Sequence, residues 1–163
     1  MNTLMQENLL DIFEYKDGEL YFKKRLGSRT KMNEPSGNIY NTGYKRVHLL
    51  GKKYYIHRLI WLYHNGYMPE FIDHIDGNKL NNKIENLRAC SKSQNGFNQK
   101  PRKNNTSGVK NLYWSSHFKK WLVKLQINNV VKHIGYFVDK ELAELVAIEA
   151  MDKFHGNFAY KGI

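Results

Sequence analysis

A group of short polar side chains fills the segment IDHIDGNKLNNKIENLR, which runs from Ile72 to Arg88. It contains Asp73, His74 and several asparagines, and few side chains that could build a core. Carboxylate and amide oxygens are hard ligands that suit Mg²⁺ or Mn²⁺, and these ions recruit waters and phosphate oxygens as further ligands. A histidine beside such an ion can act as general base on a water molecule. The segment therefore permits metal-assisted phosphate chemistry, although an Asp-Gly-Asn sequence is more often simply a turn.

The order of residue types around this segment predicts strand, loop, strand and helix. A short extended piece ends at His74, turn-forming residues follow it, and residues 87–90 can form a second strand. Asp73 and His74 are sequence neighbours, so both can reach one phosphate only where the strand ends or is bulged. Ser91 is a plausible N-cap of the following helix, and Asn95 lies one helical turn later, with its side chain free to face the strands.

The remainder of the first half reads as a small α+β unit. The sequence predicts a strand over 19–24, a hairpin formed by 43–50 and 52–57, and a helix over 57–66 that ends at Asn65-Gly66. His57 has two interpretations, a residue packed near the site at the start of this helix or a contact to phosphate, and the first is favoured.

The second half shows a different pattern. Strands are predicted over 110–115, 119–127 and 130–137, with Asn128-Asn129 as a tight turn between the last two. The helix predicted over 141–154 has one apolar stripe and ends at His155-Gly156. Together these elements predict a three-stranded antiparallel sheet that packs against one helix.

One face of this predicted sheet is polar and basic. On the middle strand, Trp121, Val123, Leu125 and Ile127 match the apolar stripe of the helix, whereas Leu122, Lys124 and Gln126 point the other way. An exposed sheet with basic and aromatic groups can enter a DNA major groove, but a charged face is as often simply solvated. The other candidate side chains for this surface lie on the first and third strands or beside them: Tyr113, Ser115, His117, Lys132 and His133.

Charge and composition restrict the class of protein. The 163 residues carry a formal net charge of +11 with a pI near 9.6, which suits a polyanionic partner such as nucleic acid. A single cysteine, Cys90, excludes an internal disulfide and a multi-cysteine zinc site. No stretch approaches the ~20 apolar residues of a membrane span. The N-terminus lacks the basic and apolar regions of a secretory signal, so we expect a cytoplasmic protein without membrane contact.

The first half resembles the HNH nucleases of phage and homing endonucleases. The resemblance covers most of residues 14–99 and depends on D-H-I-D-G-N-x-x-N-N-x-x-x-N-L-R from Asp73 to Arg88, followed by Asn95 and Asn98. It implies that His74 is the general base and that Asp73 and Asn95 coordinate the metal. It also implies that Asn86 ties the loop and so positions His74, while the other loop asparagines and Asp76 are scaffolding. Arg88 either contacts the DNA backbone or braces the fold.

The second half resembles the three-stranded DNA-binding domain of plant ethylene-response factors, which also occurs appended to phage HNH nucleases. The resemblance covers about residues 104–160 and depends on Ser107-Gly108-Val109, Trp121, Ile134-Gly135-Tyr136-Phe137 and His155-Gly156. Asn111 stands where that family usually has glycine. The resemblance implies a DNA-reading sheet face, with phosphate contacts dominant over base readout. The matching positions are Lys110, Tyr113, Ser115, His117, Lys124, Gln126 and His133.

These observations predict an α+β protein with a ββα-metal HNH nuclease domain followed by a three-stranded sheet packed on one helix. The predicted domains are 1–99, with the metal motif at about 70–99, a linker at 100–107 and a DNA-binding domain at 108–163. The expected function is metal-dependent endonuclease activity of phage homing type on double-stranded DNA, leaving 5′-phosphate and 3′-hydroxyl ends. Mg²⁺ is the expected metal and Mn²⁺ the alternative. We expect a monomer or homodimer, in the bacterial host cytoplasm if a phage encodes it.

Two other functions remain open at this stage. One is a DNA-binding protein that kept the fold without the chemistry, against which the presence of Asp73, His74, Asn86 and Asn95 speaks. The other is a nuclease that acts on branched or single-stranded DNA.

Overall fold

The computed structural model describes residues 4–127 and 130–160 of a mixed α/β protein with small antiparallel sheets. It divides into two compact units, Met1–Cys90 and Ser91–Ile163. The α+β class is confirmed, and the ββα-metal arrangement stays a prediction. The domain bounds predicted from sequence also stay a prediction. The motif places residues 91–99 in the nuclease domain, whereas the division into compact units places them in the second unit. The predicted turn at Asn128-Asn129 lies outside the described residues.

In its described residues, from position 4 onward, the first unit contains two α-helices, one 3-10 turn (Ile84–Asn86) and three small sheets. The α-helices are α1 (Gln6–Ile12) and α2 (Ile56–Asn65). The strands pair as β1 with β2, as β3 with β4 and β5, and as β6 with β7. Their bounds are β1 Phe13–Lys16, β2 Glu19–Phe22, β3 Asn38–Ile39, β4 Lys45–Leu49, β5 Lys52–Tyr55, β6 Phe71–His74 and β7 Leu87–Cys90.

The apolar face of α2 forms the centre of the first unit. Leu59 and Ile60 are fully buried there, together with Leu9 of α1 and Leu20 of β2. The helix ends where Gly66 adopts a φ of 74°, as Asn65-Gly66 predicted from sequence. Ile72 of β6 and Leu87 of β7 belong to the same core. The β6–β7 hairpin is therefore fixed by apolar packing although its loop is polar.

The second unit consists of α3 (Lys92–Phe97), β8 (Leu112–Ser115), β9 (Lys120–Ile127), β10 (Val130–Phe137) and α4 (Lys140–His155). The sheet order is β10-β9-β8, antiparallel throughout. Val123 and Leu125 pack against the alanines of α4, with Trp121 and Ile127 at the edges. This confirms the predicted division of β9 into an apolar face toward the helix and a second face.

Asn111 precedes β8 with a φ of 66°, in the left-handed region that asparagine tolerates better than most side chains. Its backbone carbonyl accepts a hydrogen bond of 3.1 Å from the Lys124 amide. Asn111 thus forms the turn that begins the first strand of this sheet.

Candidate functional site

His74 is the last residue of β6 and is buried. The strand therefore ends at the position where the sequence argument required an irregularity. The His74 Nε2 atom lies 3.0 Å from Oδ1 of Asn82, which can only accept a hydrogen bond. With the Asn82 amide in this orientation, the imidazole carries its proton on Nε2 and Nδ1 carries the lone pair. His74 is thus held in the tautomer in which Nδ1 can accept a proton.

The turn between β1 and β2 encloses Asn82. Gly18 in this turn has a φ of 88°, and a Cβ on it would lie 2.9 Å from the Lys83 nitrogen and 3.2 Å from the Asn82 carbonyl carbon. The Tyr15 hydroxyl also accepts a hydrogen bond of 3.1 Å from the Ile84 amide. Asn82 is 2% exposed as a result. A distant hairpin therefore fixes the side chain that orients His74.

Asn86 closes the polar loop between β6 and β7. Its Oδ1 accepts from the Asp76 amide at 3.1 Å, and its Nδ2 donates to Asp76 Oδ1 at 2.9 Å and to the Asn81 carbonyl at 2.8 Å. Burial raises the pKa of Asp76, but hydrogen bonds from Asn81, Asn78 and Asn86 outweigh it and lower the pKa below its usual value. The loop is thus a closed hydrogen-bonded ring around an ionised carboxylate.

Aromatic and imidazole rings surround His74. The His57 ring lies 5.1 Å from it edge to face, and the Tyr44 ring lies 6.0 Å away. Burial lowers the pKa of His74, although the hydrogen bond to Asn82 and the charges of Asp76 and Asp73 act in the opposite direction. His74 is consequently neutral at pH 7, the state that a general base needs.

His57 is buried between Tyr44 and Tyr55, with ring centroids 5.1 and 5.5 Å away. Burial, followed by the influence of His74 and Arg58, lowers its pKa to about 3. A histidine that stays neutral in this position supports the favoured interpretation, a residue packed near the site.

We expect His57 to make the first unit acid-sensitive. The pKa of His57 is lower in the folded than in the unfolded chain. Its protonation therefore costs no stability above about pH 6.5, and the free energy of unfolding decreases as the pH falls from there toward 3. Between pH 7.5 and pH 5 this histidine should reduce the free energy of unfolding by about 2 kcal/mol. Urea denaturation of the wild type and of His57→Phe at both pH values measures the effect. Equal losses in the two proteins would contradict it.

Asp73 precedes His74 on β6 and is also buried. Its Oδ2 accepts hydrogen bonds from Arg88 Nε at 2.9 Å and Nη2 at 2.6 Å across the β6–β7 pair. Of the two roles expected for Arg88, the structure shows a brace on Asp73. Its predicted contact to DNA stays a prediction.

Asn95 lies on α3, whose N-cap Ser91 accepts a hydrogen bond of 3.2 Å from the Gln94 amide. The predicted N-cap is therefore confirmed. Within residues 4–127 and 130–160, no three His, Cys, Asp or Glu side chains form a group that could hold a metal ion. Asp73 belongs to the first unit and Asn95 to the second, and the role of both in metal binding stays a prediction.

Most predicted DNA-binding residues of the second unit lie on the sheet face away from α4. Lys124 pairs with His133 across β9 and β10, and its Nζ lies 4.9 Å from the centre of the Tyr113 ring. Leu122, the remaining member of this face, is buried between its cross-strand neighbours Tyr113 and Tyr136. His117 lies in the β8–β9 turn, where its ring contacts Phe118.

Two lysines that were predicted to bind DNA have other surroundings. Lys132 pairs with Leu125 on the helix-facing side of the sheet, and its Nζ lies 4.2 Å from the Phe154 ring of α4. Lys132 and His133 are neighbours on a strand and therefore cannot share a face. Lys110 Nζ donates to three backbone carbonyls in residues 96–99. Neither Lys132 nor Lys110 therefore belongs to the polar sheet face that was predicted from sequence.

Sequence reasoning treated Asn82 as scaffolding and missed its contact with His74. The loop contains several asparagines, and no local signal distinguishes the one that becomes buried. Asn82 differs from the others because the β1–β2 turn, some 65 residues earlier in the chain, packs against it. Tyr44 was likewise not identified as a neighbour of His74.

Parts of the chain are similar in sequence to known proteins. Residues 54–97 match a family described as HNH endonuclease. Protein 3.8 of Escherichia phage T7 is 36% identical over 107 residues, which cover 63% of this chain and 86% of that protein. A protein of Acanthamoeba polyphaga mimivirus named Uncharacterized HNH endonuclease L560 is 36% identical over 121 residues. That alignment covers 72% of this chain and 62% of the relative, less than two thirds of its length. No solved structure matches the chain.

Proposed function

The chain belongs to the HNH endonuclease family, and we propose that it is a metal-dependent nuclease that hydrolyses phosphodiester bonds in double-stranded DNA, of the phage homing type. HNH nucleases generally use a divalent metal ion, and both relatives are viral proteins. The observation that carries the proposal is the buried imidazole of His74, whose Nε2 is held by Asn82 so that Nδ1 keeps the lone pair. No helix in the described part of the chain is long and apolar enough to cross a membrane.

In this proposal His74 takes a proton from the attacking water on Nδ1. Asn82 stabilises the imidazolium that forms, because its Oδ1 accepts the hydrogen bond from Nε2 in both protonation states. Burial among Tyr44 and His57 excludes bulk water from the rings and keeps the imidazole neutral before the reaction. Asn86 fixes the loop that follows His74 and is a positioning residue.

Asp73 and Asn95 would hold the divalent cation, with Mg²⁺ favoured because both donors are hard oxygens. When bound, the ion supplies positive charge at the scissile phosphate and at the leaving 3′ oxygen. Arg88 holds the Asp73 carboxylate in place through Oδ2. Attack by water with departure of the 3′ oxygen leaves 5′-phosphate and 3′-hydroxyl ends.

The second unit would bind the duplex with the sheet face that carries Tyr113, Ser115, Lys124, Gln126 and His133. Tyr113 is 44% exposed, and Lys124 lies over its ring. None of these five side chains is an arginine, the commonest bidentate reader of guanine, so we expect limited base readout with phosphate contacts dominant.

Supercoiled plasmid tests the proposed reaction. We expect nicking with Mg²⁺ or Mn²⁺, none with a chelator, and nicks that DNA ligase seals, because ligase requires 5′-phosphate and 3′-hydroxyl ends. Metal-independent nicking, or nicks that ligase cannot seal, would contradict the proposal. Preference for a four-way junction over plasmid would instead favour a nuclease for branched DNA.

Lys124→Met tests the DNA-binding face. Removal of one phosphate contact should lower the slope of log affinity against log salt concentration by about one. Fluorescence anisotropy with a labelled duplex in chelator, at several salt concentrations, measures this slope. Lys153→Met is the matched control, because Lys153 is an exposed lysine on α4, the helix that covers the other side of the sheet. Equal slopes for the two variants would contradict the assignment.

A further inference from the structure

The short helix α3 carries Asn95 but has little to stabilise it. It has six residues, includes Gly96, and buries no side chain. Isolated helices of this length are marginal in water, and an internal glycine weakens them further. Its N-terminus is capped by Ser91 and Gln94. The C-terminal end must therefore be held by other parts of the chain if Asn95 is to have a defined orientation.

Lys110 provides this support. Its Nζ donates to the carbonyls of Gly96 at 3.0 Å, Phe97 at 2.8 Å and Gln99 at 2.6 Å. These bonds use all three ammonium protons on carbonyls at and just after the helix C-terminus, where a cation is favourable. Burial lowers the pKa of Lys110 to about 8, so the side chain is still largely cationic at pH 7.

The loop that carries Lys110 is itself rigidly held. Asn105 Nδ2 donates to the Val109 carbonyl at 2.9 Å, and Ser107 Oγ lies 2.8 Å from the Val109 and Leu112 carbonyl oxygens, either of which can accept its single proton. At the same helix end, the Phe97 ring stacks on His155 of α4, with centroids 3.8 Å apart and planes within 7°. α3 is thus attached both to the loop before β8 and to the end of α4.

We infer that Lys110 is a positioning residue that fastens the C-terminal end of α3 to the sheet and helix of the second unit and thereby orients Asn95. The inference rests on the proposed function where it assigns Asn95 to the metal. It replaces the DNA contact expected for Lys110 from sequence.

Hydrogen exchange of the full chain without metal tests the attachment. In Lys110→Met the amides of residues 95–97 should exchange about tenfold faster or more than in the wild type, as local opening becomes easier. Lys103→Met is the matched control, because Lys103 is an exposed lysine seven residues earlier. The amides of Val123 and Leu125 should keep their protection in both variants. Unchanged exchange in α3 would overturn the inference.

A second variant covers the case in which methionine prevents folding. Lys110→Gln retains an amide donor but lacks the charge, and it should accelerate exchange in α3 less than methionine does. Wild-type exchange in Lys110→Gln would overturn the inference as well.

A Mn²⁺ titration of plasmid nicking tests the consequence for Asn95. In Lys110→Met the Mn²⁺ concentration for half-maximal rate should rise about fivefold or more, while the rate at saturating Mn²⁺ stays within about twofold. A general loss of stability would instead lower the saturating rate. Faster exchange with an unchanged Mn²⁺ requirement would overturn the positioning role. Should the wild type show no metal-dependent nicking, the proposed function fails, and exchange still decides whether Lys110 holds α3.

Discussion

His74→Ala is expected to lower the single-turnover rate of plasmid nicking roughly 10²–10⁴-fold at saturating Mg²⁺, the range for loss of a general base. The structure gives the reason, because His74 is buried, neutral and held through Nε2 by Asn82. DNA affinity in chelator should change little, since the imidazole acts on water rather than on the backbone. Nicking of plasmid under single-turnover conditions measures the rate.

His48→Ala is the matched control for this prediction. His48 is an exposed histidine of the same unit on β4, so its removal should leave the rate unchanged. Circular dichroism establishes that both variants are folded. A His74→Ala rate within about threefold of the control would show that another group activates the water.

Asp73→Asn is expected to lower the nicking rate about 10³-fold, which corresponds to about 4 kcal/mol of transition-state stabilisation. An amide is a much weaker ligand than a carboxylate, and higher Mn²⁺ should restore part of the activity. Because Asp73 also pairs with Arg88, with side-chain exposures of 8% and 16%, the variant leaves a largely buried cation without its carboxylate. Breaking such a pair costs roughly 3–5 kcal/mol of stability.

Asp73→Asn combined with Arg88→Met separates the two effects. The double variant has no unpaired buried cation, so much of the lost stability should return in urea denaturation, while the nicking rate stays low. Arg88→Met alone measures how much the ion pair with Asp73 contributes to the free energy of unfolding and to the nicking rate. Recovery of nicking in the double variant would show that Asp73 acts through the fold and not through the metal.

Patterns of period two and period 3.6 in the sequence predict most of the fold. The helix expected over 141–154 is α4 at Lys140–His155, and the one expected over 57–66 is α2 at Ile56–Asn65. The three strands of the second unit also match, because their alternation separates one apolar face from one polar face. The elements that sequence reasoning missed are α1, β1 and β3, which are short and have no strong periodic pattern.

The site was less accessible to sequence reasoning than the fold. The motif predicts Asp73, His74, Asn86 and Asn95 as site residues and assigns Asn82 to scaffolding. Asn82 is packed against Gly18 of another hairpin, which the motif does not include. Lys110 fits the pattern of a DNA-binding lysine, but in the structure its ammonium donates to carbonyls at the end of α3. Asn82 contacts a residue far away in sequence, and Lys110 lies in a loop. Hydrophobic periodicity predicts neither kind of contact.

The central claim is that His74 activates the attacking water. Its most direct test is the single-turnover nicking rate of His74→Ala at saturating Mg²⁺, measured with increasing imidazole in solution. We expect imidazole to raise the rate of the variant in proportion to the concentration of its neutral form, and to leave the wild type unchanged. Failure of imidazole to raise the rate of a folded His74→Ala protein that still binds DNA, or nicking at the wild-type rate without imidazole, would contradict the claim.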